Sequence, residues 1–98
     1  MIPAGVTHDP VSAVIIRDGR AVRLRPTCNM VMADLLAAGG EAAVDDLGRL
    51  RKLDQRYTAR RAREELRVAN PALRRLSIKA SITPLGMVRL VEIRARRP

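Results

Sequence analysis

Between Cys28 and Ala38 only Asn29 and Asp34 are polar, and that stretch decides how the rest of the chain must be arranged. At about 100° per residue, Met30, Val31, Leu35 and Ala38 share one helical face while Met32 and Leu36 cover another. A helix apolar nearly all round belongs at the centre of a fold, so the other elements have to be laid around it. Pro26 and Thr27 open it, since proline fits a first turn and a threonine hydroxyl can cap free amides. Gly39-Gly40 closes it. Cys28 and the methionines are core filler, and nothing near Cys28 is placed to give it a redox role.

The chain has 98 residues, one domain's worth. Such a length buries roughly 60–65 % of its unfolded surface, enough for a single modest core. Two-domain enzymes and solenoid repeats are excluded. No apolar run approaches a bilayer span. Met1-Ile2-Pro3-Ala4-Gly5 lacks the basic start and apolar stretch of a signal peptide. One cysteine makes neither an internal disulfide nor a zinc site, so a reduced, cytoplasmic protein is expected.

Around the central helix the pattern is α+β. Residues 1–10 hold prolines and a glycine without periodicity and read as a flexible N-terminal arm. Val11 to Arg17 and Arg20 to Leu24 flank Asp18-Gly19, a strong hairpin signal because a two-residue turn needs positive φ. A second helix is expected from Ala42 or Val44 to Leu53, with Asp45 and Asp46 in its first turn and Arg49, Arg51 and Lys52 in its last, as the helix dipole favours. Asp54-Gln55-Arg56-Tyr57 connects it to a third helix, capped by Thr58 and running from Ala59 to about Ala69. Asn70-Pro71 should stop that helix, with Ala72 to Arg75 adding at most one more turn. Leu76 to Thr83 alternates as a half-buried strand, Pro84-Leu85-Gly86 turns, and Met87 to Ile93 returns. The folded domain is expected over 11–95, with 96–98 a basic tail.

Charge is segregated along this chain. The formal net charge is +9, yet residues 1–48 hold four basic against six acidic side chains, and residues 49–98 hold 15 against four. A one-sided basic field suits a polyanion, because each neutralised phosphate releases counterions. The third helix concentrates it: Ala59, Ala62, Leu66 and Ala69 fall on one side, while Arg60, Arg63 and Arg67 fall opposite, with Arg61 further round. Glu64 on that face either accepts from cytosine N4 or pairs with Arg60. Tyr57 is the single aromatic residue, which argues against base-stacking binders of single strands.

Hairpin, three helices and a closing hairpin is the winged helix-turn-helix order. Val22-Arg23-Leu24-Arg25-Pro26-Thr27, followed by a helix with Leu35-Leu36 and Gly39-Gly40, resembles the start of the OmpR/PhoB-type DNA-binding domain. Val44-Asp45-Asp46-Leu47 is similar to the opening of that family's second helix. Leu73-Arg74-Arg75-Leu76 through Ile82-Thr83-Pro84-Leu85-Gly86-Met87-Val88-Arg89-Leu90-Val91 resembles its wing. The resemblance covers roughly residues 13–93, with the leading sheet reduced to one hairpin. It implies a bacterial or phage transcriptional regulator that places helix 59–69 in a major groove of duplex DNA and the 76–93 hairpin as a wing on a minor groove or backbone.

The candidate DNA-binding residues are therefore Arg60, Arg61, Arg63 and Arg67, with Thr58 and Arg56 at the head of that helix and Lys79, Arg89 and Arg94 on the wing. Most should meet phosphates, and those that read bases can fork to guanine. Tight specific binding by so small a reader favours a homodimer on paired half-sites. Catalysis is not expected: His8 stands alone, Asp45 and Asp46 suit a helix start, and Gly39-Gly40 lacks the Lys-Ser/Thr of a phosphate loop. No cofactor, metal or small-molecule substrate is implied. The alternative is a non-catalytic adaptor that binds RNA polymerase, a phage assembly component or another chain through a strand edge. Structured RNA is a third possibility that the charge alone does not remove.

Overall fold

A computed structural model describes residues 2–47 and 59–93. The element order is β1 (Val6–Asp9), β2 (Val14–Arg17), β3 (Arg20–Arg23), α1 (Pro26–Ala37), β4 (Glu41–Ala43), a 3-10 turn (Val44–Asp46), α2 (Ala59–Leu73), a second 3-10 turn (Arg74–Leu76), β5 (Ile78–Ile82) and β6 (Met87–Glu92). The fold is α+β. Two antiparallel sheets of three strands, ordered β1-β2-β3 and β4-β6-β5, are joined through the helices.

The hairpin expected at Asp18-Gly19 is present. Arg17 pairs with Arg20, and Asp18 and Gly19 take φ of 51° and 77°, the left-handed pair that a two-residue turn demands. The leading sheet nevertheless has a third strand. Val6–Asp9, within the segment expected to be a loose arm, pairs antiparallel with Val14–Arg17. Its turn is organised by Asp9, whose carboxylate accepts from the Val11 amide at 3.0 Å and the Ser12 hydroxyl at 2.6 Å. Those bonds hold the Asp9 carboxyl below its ordinary range. The prolines that suggested an arm flank this strand instead of interrupting it.

Helix α1 starts one step earlier than its hydroxyl suggested. Arg25 is the N-cap, in an extended conformation with no side-chain cap bond, and Pro26 occupies the first turn, so Thr27 lies inside the helix. The end is a Schellman arrangement: the Gly39 and Gly40 amides donate to the Leu36 and Leu35 carbonyls at 3.0 and 2.9 Å, with both glycines at positive φ. Cys28, Val31, Met32 and Leu35 form the buried stripe. Ala37 and Ala38 are exposed, so α1 buries one face rather than its whole circumference.

The expected second helix does not begin at Ala42. Glu41–Ala43 pairs instead with Met87–Arg89, and the Leu90 amide donates to Gly40 O at 2.8 Å. Ladder bonds to a waiting strand outcompete alanine's helix propensity here. Val44–Asp46 then makes a single 3-10 turn, and the rest of the expected helix, the connector and the Thr58 cap lie outside the described residues. Among the described residues there are two α-helices.

Asn70-Pro71 does not stop α2. The helix runs through Pro71 to Leu73 and continues as the 3-10 turn to Leu76. A proline inside a helix removes one backbone bond at a cost of about 3 kcal/mol. Burying Leu73 and Leu76 beyond it offsets that loss. Ser77, with φ 57° and ψ 36°, breaks the turn and releases β5 at Ile78, two residues later than the alternation suggested. Ala62, Leu66, Ala69 and Leu73 of α2 pack into a common core with Ile15, Val22 and Leu24 of the first sheet and Ile78, Val88 and Leu90 of the second.

Candidate nucleic-acid interface

The α2 face opposite the core carries the arginine row. Ala62, Leu66 and Ala69 are buried, while Arg60, Arg61, Arg63 and Arg67 are exposed on the other side, with Glu64 and Val68 among them. The guanidinium groups stand outward because their backbone positions are dictated by the apolar stripe at i, i+4 and i+7. Of the other candidates, Lys79 on β5 and Arg89 on β6 are exposed on the outer face of the second sheet. Arg56, Thr58 and Arg94 lie outside the described residues.

The row is not uniform. Arg63 and Arg67 lean toward the closing hairpin and line a groove with Asn70, Ala80, Ile82, Thr83 and Pro84. Arg63 reaches over the hairpin turn: a side-chain carbon built on Gly86 would stand 3.6 Å from Arg63 Nη2 and 3.5 Å from Val44 Cγ1. Those are ordinary contact distances with room for a side chain, so it is the φ of +84°, where other residues are strained, that calls for glycine at 86. Arg61 stands four residues before Glu65 on α2, and its charge acts on the Glu65 carboxylate.

Asn70 fixes the spacing between helix and hairpin. Its carboxamide oxygen accepts from the Ala80 amide at 2.8 Å and its nitrogen donates to the Ala80 carbonyl at 3.2 Å. The side chain thereby acts as one more strand residue along the edge of β5, and α2 is held alongside the hairpin by paired hydrogen bonds as well as by packing.

Beneath the row lies a polar cluster that the sequence reading passed over. Glu65 is 9 % exposed on the inward side of α2 and accepts from Arg25 at 3.1 Å and from the Cys28 thiol at 3.1 Å. Burial pulls the Glu65 carboxyl upward, but the hydrogen bonds from Cys28 and Arg25 and the charges of Arg25 and Arg61 outweigh it, and the net direction is down. Burial first, and the Glu65 carboxylate second, push the Cys28 thiol up to about 11. Cys28 is thus a buried donor and not a nucleophile. Glu65 was legible in principle, since it falls between Ala62 and Leu66 in the inward phase of the helix.

Arg17 is the other missed residue. It is 8 % exposed, donating to Ala4 O at 3.1 Å and Leu76 O at 3.0 Å, and pairing with Glu92. Arg89 pairs across strands with Glu41 at 3.3 Å, which partly neutralises that hairpin cation. His8 bonds to Asn29 at 2.7 Å, the ring nitrogen to the carboxamide oxygen. Among the described residues no cluster of three or more His, Cys, Asp or Glu side chains could hold a metal, and no helix is long and apolar enough to cross a membrane. Compared with known proteins, the chain matches no family model, no curated protein and no solved structure.

Proposed function

We propose that this chain is a winged-helix reader of duplex DNA, with α2 as the major-groove helix, the β5–β6 hairpin as the wing, and transcriptional regulation as its role. The observation that carries the reading is the exposed row Arg60, Arg61, Arg63 and Arg67 on a helix whose opposite face is buried. The sheet order β4-β6-β5, in which the strand after α1 pairs with the last strand, suits a winged helix, and α2 lies against β5 as a reader helix lies against its wing. Arginine's planar fork can clamp phosphate or read guanine, whereas lysine offers a point charge. Tight binding to a defined sequence would use two copies on paired half-sites.

Fluorescence anisotropy with duplex DNA over a salt series tests the proposal. Four phosphate contacts would weaken binding on the order of 100-fold between 50 and 200 mM salt. Absence of binding, or an affinity indifferent to salt, rejects it. Competition with duplex RNA separates the two polyanions, because a major-groove helix cannot enter the narrow groove of the A form. Stoichiometric co-purification of a protein such as RNA polymerase, without DNA affinity, would instead make the chain an adaptor.

A further inference from the structure

A second cationic cleft lies where the two sheets meet, and it shares no lining residue with the groove beside Arg63 and Arg67. Arg17, Arg20, Arg75, Ser77, Asp18 and Glu92 stand around a space of about 390 Å³. Arg17 is committed there, donating to the Leu76 and Ser77 carbonyls and pairing with Glu92. Those bonds pin the turn in which Ser77 sits at φ 57°. The side chains of Arg20, Arg75 and Ser77 are exposed and make no hydrogen bond or ion pair among the described residues. Two guanidinium forks and a hydroxyl therefore border one space, and no acceptor of the fold meets them.

We propose that this cleft binds a small phosphate monoester, with its phosphate held by Arg20, Arg75 and the Ser77 hydroxyl; nothing in the proposal depends on the DNA-binding reading. The donors come from two elements, Arg20 from the start of β3 and the other two from the 3-10 turn and the residue after it. A tetrahedral phosphate offers oxygens to both, whereas a planar carboxylate is satisfied by a single fork. Asp18 and Glu92 limit the size of the ligand. Three guanidinium groups stand against these two carboxylates, a balance that attracts one phosphate and repels a continuous polyanion at the rim. On a hydroxylated body, such as a sugar, the same carboxylates accept from the ligand's hydroxyls. The space is of the size that small-molecule sites ordinarily have, roughly 300–1,000 Å³. Because Arg20 belongs to the first sheet and Arg75 to the turn before β5, a bound ester joins the two halves of the fold and raises its melting temperature.

Calorimetric titration of the whole chain with AMP, glucose 6-phosphate, inorganic phosphate and adenosine tests this, with melting temperatures recorded for every variant. The expected result is one ester bound per chain with Kd at or below about 1 mM, weaker binding of inorganic phosphate and none of adenosine. Arg20→Ala and Arg75→Ala should each weaken ester binding about tenfold. Ser77→Gly, which keeps the positive φ and removes the hydroxyl, should weaken it about threefold. Arg67→Ala, in the other groove, should bind like wild type. All four side chains are exposed, so the variants should melt like wild type without ligand. Absence of binding by both esters overturns the proposal, as does adenosine binding as well as AMP. Equal weakening by Arg67→Ala would reduce the effect to diffuse charge and overturn it too. Displacement of bound ester by a short DNA duplex would assign the cleft to the nucleic-acid surface instead, whereas ester binding by a chain without DNA affinity sustains it.

Discussion

The Arg17 guanidinium donates to the carbonyl oxygen of Leu76 at 3.0 Å, tying the first sheet to the turn that releases β5. The same side chain pairs with Glu92 at the end of β6, so one buried arginine spans both sheets and sets where the hairpin stands relative to the N-terminal half. Arg17→Met should lower stability by about 2–4 kcal/mol, because the methionine fills the space but leaves the Leu76 and Ala4 carbonyls without their donor. Most of that loss belongs to the carbonyls, since the Glu92 side chain is 56 % exposed and its pairing is screened. Urea titration followed by circular dichroism measures it. A change below about 0.5 kcal/mol would mean the guanidinium holds nothing together.

The Cys28–Glu65 pair ties stability to pH in opposite senses at the two ends of the scale. The folded-state Glu65 carboxyl lies below its ordinary 4.5, so it stabilises the fold at pH above that value and the contribution disappears as pH falls through the folded pKa. The Cys28 thiol is raised from 9.0 to about 11, so the folded state keeps a proton that the unfolded chain gives up. That stability is complete below pH 9.0 and is lost as pH climbs toward 11, by about 2–3 kcal/mol at most. Melting temperatures for wild type and Cys28→Ser between pH 8 and 11 report it. The serine variant, whose hydroxyl stays protonated, should lose the alkaline decline. Cys28 should also resist alkylation at pH 8 until the protein unfolds.

Asn70→Ala tests the link between helix and hairpin. Removing both hydrogen bonds to Ala80 should cost about 1–2 kcal/mol, the site being half-buried and water able to replace part of the loss. The sharper readout is hydrogen exchange. The Ala80 amide, which donates to Asn70 Oδ1 at 2.8 Å, should exchange faster in the variant while amides bonded between β5 and β6 keep their protection. Unchanged exchange at Ala80 would refute a latch at this position.

How far the sequence disclosed this arrangement depends on the range of the interactions concerned. Asp18-Gly19, Gly39-Gly40 and the arginine spacing of α2 are local matters of backbone preference and helical period, and the structure has all three. Misread elements were settled by partners distant in the chain. Val6–Asp9 is a strand because Val14–Arg17 is there to pair with it, and Glu41–Ala43 because Met87–Arg89 is. Pro71 fails to end α2 because Leu73 and Leu76 have a core to enter. The buried charges followed the same division: period two puts Arg17 on the face of Ile15, but only its distant acceptors explain why a guanidinium is stable there.

Arg89, on the β5–β6 hairpin proposed as a wing, is the place where charge and geometry disagree about the proposed function. It is exposed and aimed from the outer face of the second sheet, yet Glu41 stands 3.3 Å from its Nε across the β4–β6 pairing. A carboxylate so close competes with any phosphate for the same donor, and both side chains are about half exposed, so the competition is weak but real at low salt. Arg89→Ala should therefore reduce the salt slope of DNA binding by clearly less than Arg67→Ala. Glu41→Gln should act in the opposite direction, tightening binding about two- to threefold at low salt by releasing Arg89 and removing a like-charge repulsion toward the duplex. The gain should fade as salt rises. Anisotropy titrations at two salt concentrations decide the matter: weaker binding in Glu41→Gln would mean that the pair positions Arg89 for contact instead of masking it, and no change would place Arg89 and Glu41 away from the bound duplex.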